Sequence, residues 1–448
     1  MSGPKVVRIV TREEIMAICE GHLARLDAAL EDWVRIGRRN DCISEEEVAA
    51  SQRRRDAIAK LLASDRFMDV QKQAPQEIAF LANDLEARLR KVADQAAAER
   101  SSARRQAEAA KTLLGALRAA ENLPPDLEKR LQLVVDGETD SKAIADGFAA
   151  LSAKQDDGAA ARHALAQRHR TDEKPPSLQE WLRRQTPPAE EERLRSIDRR
   201  LAELALTNAP AAAAFGSRLD TILIEVSVQR KNLLLDSLEL DVGHAVKEAK
   251  ARVAAEREVQ LALGELSAAS PEDQARLACR QSQSLDAAAL DELLTEIRVA
   301  IEGARKAAAA AARREALIEG LATMGYEISE GMETAWATEG RVVLRSAARP
   351  DYGVEVAGDA AAGRVQMRAV AFVHGGVGPD AARDTDAEAI WCGEVGALQD
   401  RLATLGGGLT IERALAVGAT PLKRVATGLD GDRHRAREGP ADKTRTLS

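Results

Sequence analysis

The chain has 448 residues and a formal net charge of −8, with 30% charged and only 2% aromatic residues. One large globular core normally contains more aromatic side chains, because these rings bury the most area per residue. Abundant alanine, leucine, glutamate and arginine are instead typical of long helices packed side by side. The negative net charge gives no global attraction to nucleic acid or anionic lipid.

Cysteine usage and hydropathy predict the cellular location. Four widely separated cysteines indicate no disulfide framework and favour a reducing compartment: Cys19, Cys42, Cys279 and Cys392. No apolar run approaches the roughly 20 residues that span a bilayer, and the N-terminus lacks the apolar region of a signal peptide. We therefore expect a cytoplasmic, bacterial protein.

The opening segment "PKVVRIVTREE", residues 4–14, is rich in β-branched residues and predicts a strand. A strand does not persist in water without a neighbour. Three alternatives remain open. The segment adds to an edge of a sheet formed near the C-terminus, pairs with another protein's sheet, or is a lead-in to the first helix.

Helices are predicted from Thr11 onward. Thr11 with Glu14, and Ser44 with Glu47, form two capping boxes that begin the two helices of an antiparallel hairpin. The first helix carries a heptad-like apolar stripe. We expect Pro75 to break any helix through it, and a long helix to follow over residues 76–120. Its stripe thins to alanine, so this helix either packs closely on a partner helix or lies partly in solvent.

A second helical region is predicted after a linker. Short helices, one of them capped by Ser141, precede the linker, and a second helical region follows over residues 189–266. β-Branched residues at 219–242 allow a strand, but the length and spacing favour a helix. The clearest heptad seam comprises Ile297, Ile301, Ala304, Ala308, Ala311 and Ile318. Antiparallel pairing with an upstream helix is favoured, and intermolecular pairing is the alternative.

The pattern changes to period two after Gly325. Three segments between about Thr334 and Val373 predict a three-stranded antiparallel meander. Asp386 is expected to cap a helix that ends at the glycines of 406–408, and "TIERALAVG" is expected to form a short helix or turn. Fifteen acidic and six arginine residues lie between Glu315 and Asp400, so this unit carries most of the negative excess.

The predicted fold class is mainly α, with long antiparallel helices or coiled coil and a small C-terminal α+β domain containing a three-stranded antiparallel sheet. The predicted divisions are an N-terminal strand plus helical hairpin (1–72), a long helix with a short-helix cap (76–154), a linker (155–188), a second helical region (189–312), the α+β domain (313–422) and a disordered tail (423–448).

Several segments partly match the patterns of metal and phosphate sites. Cys19 and His22 have the C-x-x-H spacing of zinc ligands, with Cys42 one loop away, but a fourth ligand is missing and the first two lie on the apolar stripe. Core packing is the better interpretation. His163 and His169 lie in the polar linker. "LGGGLTIERAL" lacks the G-K-[ST] of a phosphate loop, so helix termination is favoured.

The sequence gives little support for a catalytic site or a nucleic-acid-binding site. His374 follows a strand in "FVHGGVGPD", and Cys392 could meet it as a nucleophile and base pair. A loop turn and a buried cysteine are the simpler interpretation. No G-x-S-x-G is present. The basic clusters 53–55 and 104–105 have no aromatic stacking platform and predict a solvated helix face.

We therefore predict a non-enzymatic coiled-coil scaffold or adaptor subunit of a multiprotein assembly, which binds a partner through the C-terminal α+β domain. An enzyme with a site at His374 and Cys392 is one alternative, and a nucleic-acid-associated coiled-coil protein is the other. We expect a protein partner or self-association, and no membrane, cofactor, metal, nucleic acid or small-molecule ligand.

Overall fold

The computed structural model describes residues 4–121, 123–153, 189–281, 285–329, 331–373 and 380–426. Over these residues the chain forms twelve α-helices and seven strands. The prediction of a mainly helical protein with a C-terminal antiparallel sheet is confirmed. None of the helices in these ranges has an apolar stretch long enough to cross a lipid bilayer.

The elements follow one another as helices and then a sheet. The helices are α1 Arg12–Arg39, α2 Glu45–Ala63, α3 Phe67–Ala119, α4 Pro125–Val135, α5 Ser141–Ala153, α6 Ala189–Thr207, α7 Ala209–Leu223, α8 Val228–Ala269, α9 Pro271–Gln281, α10 Ala287–Thr323, α11 Met332–Glu339 and α12 Ala381–Thr404. The strands are β1 Lys5–Val10, β2 Tyr326–Glu327, β3 Arg341–Ser346, β4 Tyr352–Ala357, β5 Arg364–Val373, β6 Gly408–Ala414 and β7 Lys423–Ala426.

The chain divides into two compact units. The first comprises residues 1–30, 50–78 and 258–448, and the second comprises residues 31–49 and 79–257. The whole sheet belongs to the first unit.

The sheet has seven strands in the described residues, and the prediction of three was wrong. Its order is β2-β3-β4-β5-β1-β6, all antiparallel, and β7 pairs parallel with β5. The opening segment therefore pairs within the chain, between β5 and β6 rather than at an edge. The segment predicted as a last helix or turn forms β6 instead, because β1 offers it a strand to pair with.

The apolar core of the first unit lies on one face of this sheet. Lys5, Val7 and Ile9 alternate into it from β1. The core is completed by buried side chains of α10, α12 and the other strands, among them Leu317, Leu321, Val354, Val365, Met367, Trp391, Val395 and Leu398. Apolar residues recur every two positions in the strands and about every 3.6 positions in the helices. Both patterns place these side chains in the same core.

Several predicted boundaries were wrong for local reasons. Helix α3 continues through Pro75. Residues 334–339, predicted as strand, belong to α11, which lies between two glycines with positive φ, Gly331 and Gly340. The predicted helical region over 189–266 comprises three helices, α6, α7 and most of α8.

Two predicted caps were wrong, the first by one residue and the second by six residues. Asp140, not Ser141, caps α5, since its carboxylate accepts from the Ala143 amide at 2.9 Å. Asp380, not Asp386, caps α12. A neighbouring acidic residue satisfies the free amides of the first turn equally well, so spacing alone does not select the cap.

In the second unit, the alanine-rich part of α3 packs on α6. Ala93 and Ala97 are buried together with Ala202. Arg104 pairs with the buried Asp198, and Arg199 pairs with Asp94 at 2.7 Å. The thin stripe therefore supports close helix packing, with arginine ion pairs along its sides.

Candidate partner-binding face

The second face of the sheet is exposed over much of β1, β3, β5 and β6. Residues that alternate with the core-facing ones point to it, and those of β1 are Val6, Arg8 and Val10. The same alternation in β3 and β5 turns arginines away from the buried valines. The exposed positions of this face are therefore mainly cationic, with half-buried valines between them.

One row of paired residues crosses five strands on this face. Arg341 is opposite Ala357, Ala357 is opposite Gln366, Gln366 is opposite Val6, and Val6 is opposite Arg413. Directly opposed residues share a face of the sheet. At about 4.8 Å per strand, the two terminal arginines lie roughly 19 Å apart at the backbone.

A second row places two arginines directly against each other. Arg8 is opposite Arg364 on one side and opposite Thr410 on the other. Arg364 forms an ion pair with Glu412 at 3.0 Å. Like charges opposed across a strand pair destabilise a sheet. We name the four exposed residues Arg8, Arg341, Arg364 and Arg413 the arginine face.

The arginine face is incompletely neutralised. Arg8, Arg341 and Arg413 have no hydrogen bond or ion pair with another group in the described part of the chain. Guanidinium groups in this state are suited to bidentate contacts with carboxylates or phosphates.

Farther along the same face of the sheet, around Glu355, the charged side chains neutralise one another. Glu355 is buried and accepts from Arg368 at 2.5 Å and from Lys423 at 2.6 Å. Burial raises the pKa of Glu355, but the two hydrogen bonds outweigh it, so its pKa lies below the ordinary value. The Arg345 guanidinium lies 4.6 Å from the centroid of the Phe372 ring, and that ring is buried.

The acidic excess of the C-terminal region is therefore not evenly distributed. Four of its six arginines lie in β3 and β5 on this face, whereas many of its acidic residues lie on α12. The count along the sequence concealed this separation. The available signal was the arginine spacing in "RVVLRS" and "RVQMR", where the arginines alternate with the buried apolar residues Val342, Leu344, Val365 and Met367.

The metal candidates take part in packing. Cys19 is buried, and its thiol contacts the Phe67 carbonyl at 3.7 Å. Burial raises the pKa of Cys19 and lowers that of His22. Cys42 is half-buried, and Arg88 donates to its carbonyl at 2.7 Å. No cluster of three potential metal ligands is present in the described ranges.

The structure describes the predicted basic clusters but not the predicted catalytic histidine. His374, His163 and His169 lie outside the described residues, so the pairing of His374 with Cys392 stays a prediction. Helix α12 ends at Thr404, before the three glycines, as expected. The basic clusters are held in ion pairs: Arg54 with Glu77, Arg55 with Asp27, Arg104 with Asp198 and Arg105 with Glu191.

A cleft of about 420 Å³ is lined by α1, α8 and α10 of the first unit. Its cations are largely occupied by its own carboxylates. Arg25 and Arg305 both contact Glu265, at 3.0 and 2.8 Å, and Arg313 contacts Glu14 at 2.5 Å. This cleft is therefore better explained as an ion-pair network between helices than as a ligand site.

No protein-family model, curated protein or solved structure matches this chain. In the described part of the chain, the arginine face combines exposure, repeated charge and incomplete neutralisation.

Proposed function

We propose that this protein is a cytoplasmic, non-enzymatic scaffold or adaptor subunit of a multiprotein assembly, and that its arginine face binds an acidic segment of a partner protein. One observation carries the proposal. Arg8 and Arg364 oppose each other on an exposed sheet face, and among the described residues only Arg364 of the two has a carboxylate partner.

Sheet stability alone does not explain this arrangement. A threonine or another uncharged β-former at position 8 would remove the repulsion without loss of core packing, because Arg8 is exposed. An acidic ligand lying across β1 and β5 would turn the same two charges into an attractive site. A role in binding therefore explains why the sheet carries a pair of opposed arginines that destabilises it.

An acidic protein segment fits the face better than a nucleic acid. Sheets that recognise single-stranded RNA stack bases on exposed aromatic rings. Here Phe372 is buried, and Arg345 lies over it. The exposed part of the face offers guanidinium groups, the Gln366 amide and short aliphatic side chains, which together suit carboxylates on an extended chain.

The long helices suit a scaffold. Helix α3 has 53 residues and would extend about 80 Å at 1.5 Å per residue. Helices α8 and α10 have 42 and 37 residues. In this proposal they pair as coiled coils, within the chain or between copies, and hold the partner-binding domain at a fixed distance in the assembly.

The test measures binding of a fluorescent polyglutamate peptide by anisotropy at low salt. The wild-type chain is expected to bind, with an affinity that falls as salt rises. The double reversal Arg8→Glu, Arg364→Glu is expected to weaken binding more than about tenfold, or 1.4 kcal/mol. The matched control reverses Arg298 and Arg383, which are exposed on α10 and α12, and is expected to bind like the wild type.

Two results would overturn the proposal. One is equal loss of binding in both double variants, which would indicate a nonspecific charge effect. The other is binding of a single-stranded RNA or duplex DNA probe with no binding of polyglutamate, which would favour the nucleic-acid alternative.

A further inference from the structure

A buried lysine contacts a cysteine inside the first unit. Lys5 is 1% exposed, and its side chain lies on the core face of β1. Its Nζ lies 3.3 Å from Sγ of Cys392 on α12. The two residues are 387 positions apart in sequence, so the contact joins the first strand to the last helix of the described chain.

The environment of the amine is unusual. A buried lysine is normally paired with a carboxylate, because an isolated buried charge is costly. In the described residues, no carboxylate lies within ion-pair distance of Lys5 Nζ, and the sulfur of Cys392 is its hydrogen-bond acceptor. Cys392 is itself half-buried.

We infer that hydroperoxide oxidation joins Lys5 to Cys392 through a covalent sulfur–nitrogen bond. In the first step the thiol attacks hydrogen peroxide. The O–O bond breaks, sulfur gains a hydroxyl as sulfenic acid, and one water leaves. Sulfur is oxidised by two electrons and the peroxide is reduced by two.

In the second step the nitrogen of Lys5 attacks the sulfenic sulfur. The S–N bond forms and the S–O bond breaks. The hydroxyl leaves as a second water with a proton from nitrogen, with no further change of oxidation state. An external dithiol reverses the link, because attack on sulfur releases the amine and the following thiol exchange restores the cysteine.

The link would fasten β1 covalently to α12. In the reduced protein β1 is held by its ladders to β5 and β6 and by Val7 and Ile9 in the core. Oxidation would therefore secure the strand that carries Arg8. The inference stands independently of ligand binding at the arginine face.

Other cysteines provide internal controls. Cys279 is exposed, so peroxide is expected to oxidise it without forming a lysine link. Cys19 is buried, and its thiol contacts a backbone carbonyl and the Gln71 amide. Selective coupling at Cys392 would thus follow from the adjacent amine rather than from thiol exposure.

The experiment treats the full-length protein with hydrogen peroxide and maps its proteolytic peptides by mass spectrometry. We expect the Lys5 and Cys392 peptides to appear as one linked pair, two hydrogen atoms lighter than their sum, and to separate on treatment with dithiothreitol. Cys279→Ser should retain the link, and Cys392→Ser and Lys5→Arg should lose it. Peroxide added in urea should not form it.

The decisive measurement needs only the wild-type chain, so a variant that fails to fold does not obscure it. Recovery of Cys392 as sulfinic acid, with the Lys5 peptide unlinked, would overturn the inference. A link that forms equally in urea would also overturn it, because folding would then have no part in the selectivity.

Discussion

Replacing Arg8 with threonine should make the sheet more stable while it weakens binding at the arginine face. Arg8 opposes Arg364 in the β1–β5 ladder, and a like-charge pair in that position costs about 0.2–1 kcal/mol. Arg364 is 63% exposed and already contacts Glu412, so solvent and the carboxylate both reduce the repulsion. We therefore expect a gain of about 0.5 kcal/mol.

Hydrogen–deuterium exchange of β1 and of residues 364–367 measures this local effect. A gain of about 0.5 kcal/mol corresponds to roughly two-fold slower exchange of amides that open through this ladder. In 1 M salt, where the screening length is about 3 Å, the difference should nearly vanish. Arg8→Lys keeps the charge and should exchange like the wild type.

Faster exchange in Arg8→Thr would refute this reasoning, because it would show that Arg8 stabilises the sheet. A difference that persists in 1 M salt would also contradict it, since threonine would then act through β-propensity or packing rather than through charge. In either case the exposed arginine pair would no longer indicate a binding role.

Three further predictions concern stability and ionisation. Arg313→Met should destabilise the protein by about 3 kcal/mol in urea unfolding, because it removes a mostly buried ion pair to Glu14 and two hydrogen bonds to backbone carbonyls; an unchanged midpoint would contradict this. Gly264→Ala should cost about 1–2 kcal/mol, because its methyl group would lie 2.8 Å from a side chain of α1, whereas Gly303→Ala, with no atom within 4 Å, should gain about 0.5–1 kcal/mol; equal effects would contradict the packing. Burial and a hydrogen bond raise the pKa of Tyr352 to about 12, so its contribution to stability is complete below pH 10 and is lost as the pH rises through about 12; tyrosinate absorbance appearing at pH 10 in the folded protein would contradict this.

Local signals predicted much of the helical part. The capping box at Ser44 and Glu47 is formed, with the Ser44 amide donating to Glu47 at 2.8 Å. The alternation that predicted β5 is also present in the structure. These features depend on residues within a few positions of each other, which is where sequence periodicity and capping chemistry are informative.

Non-local pairing explains what the sequence could not specify. Strand β6 exists because β1, about 400 residues earlier, lies beside it. The arginine face required the same knowledge, since Arg8 meets Arg364 only when β1 is placed between β5 and β6. The arginines themselves were visible in the sequence, but their proximity was not.

Arginine footprinting with phenylglyoxal tests the central proposal most directly. Modification rates are measured residue by residue, by mass spectrometry, with and without polyglutamate. We expect bound polyglutamate to slow modification of Arg8, Arg341, Arg364 and Arg413 and to leave the exposed Arg383 of α12 unchanged. Equal protection of Arg383, or unprotected arginines on the sheet under conditions where polyglutamate binds, would contradict a binding site on this face.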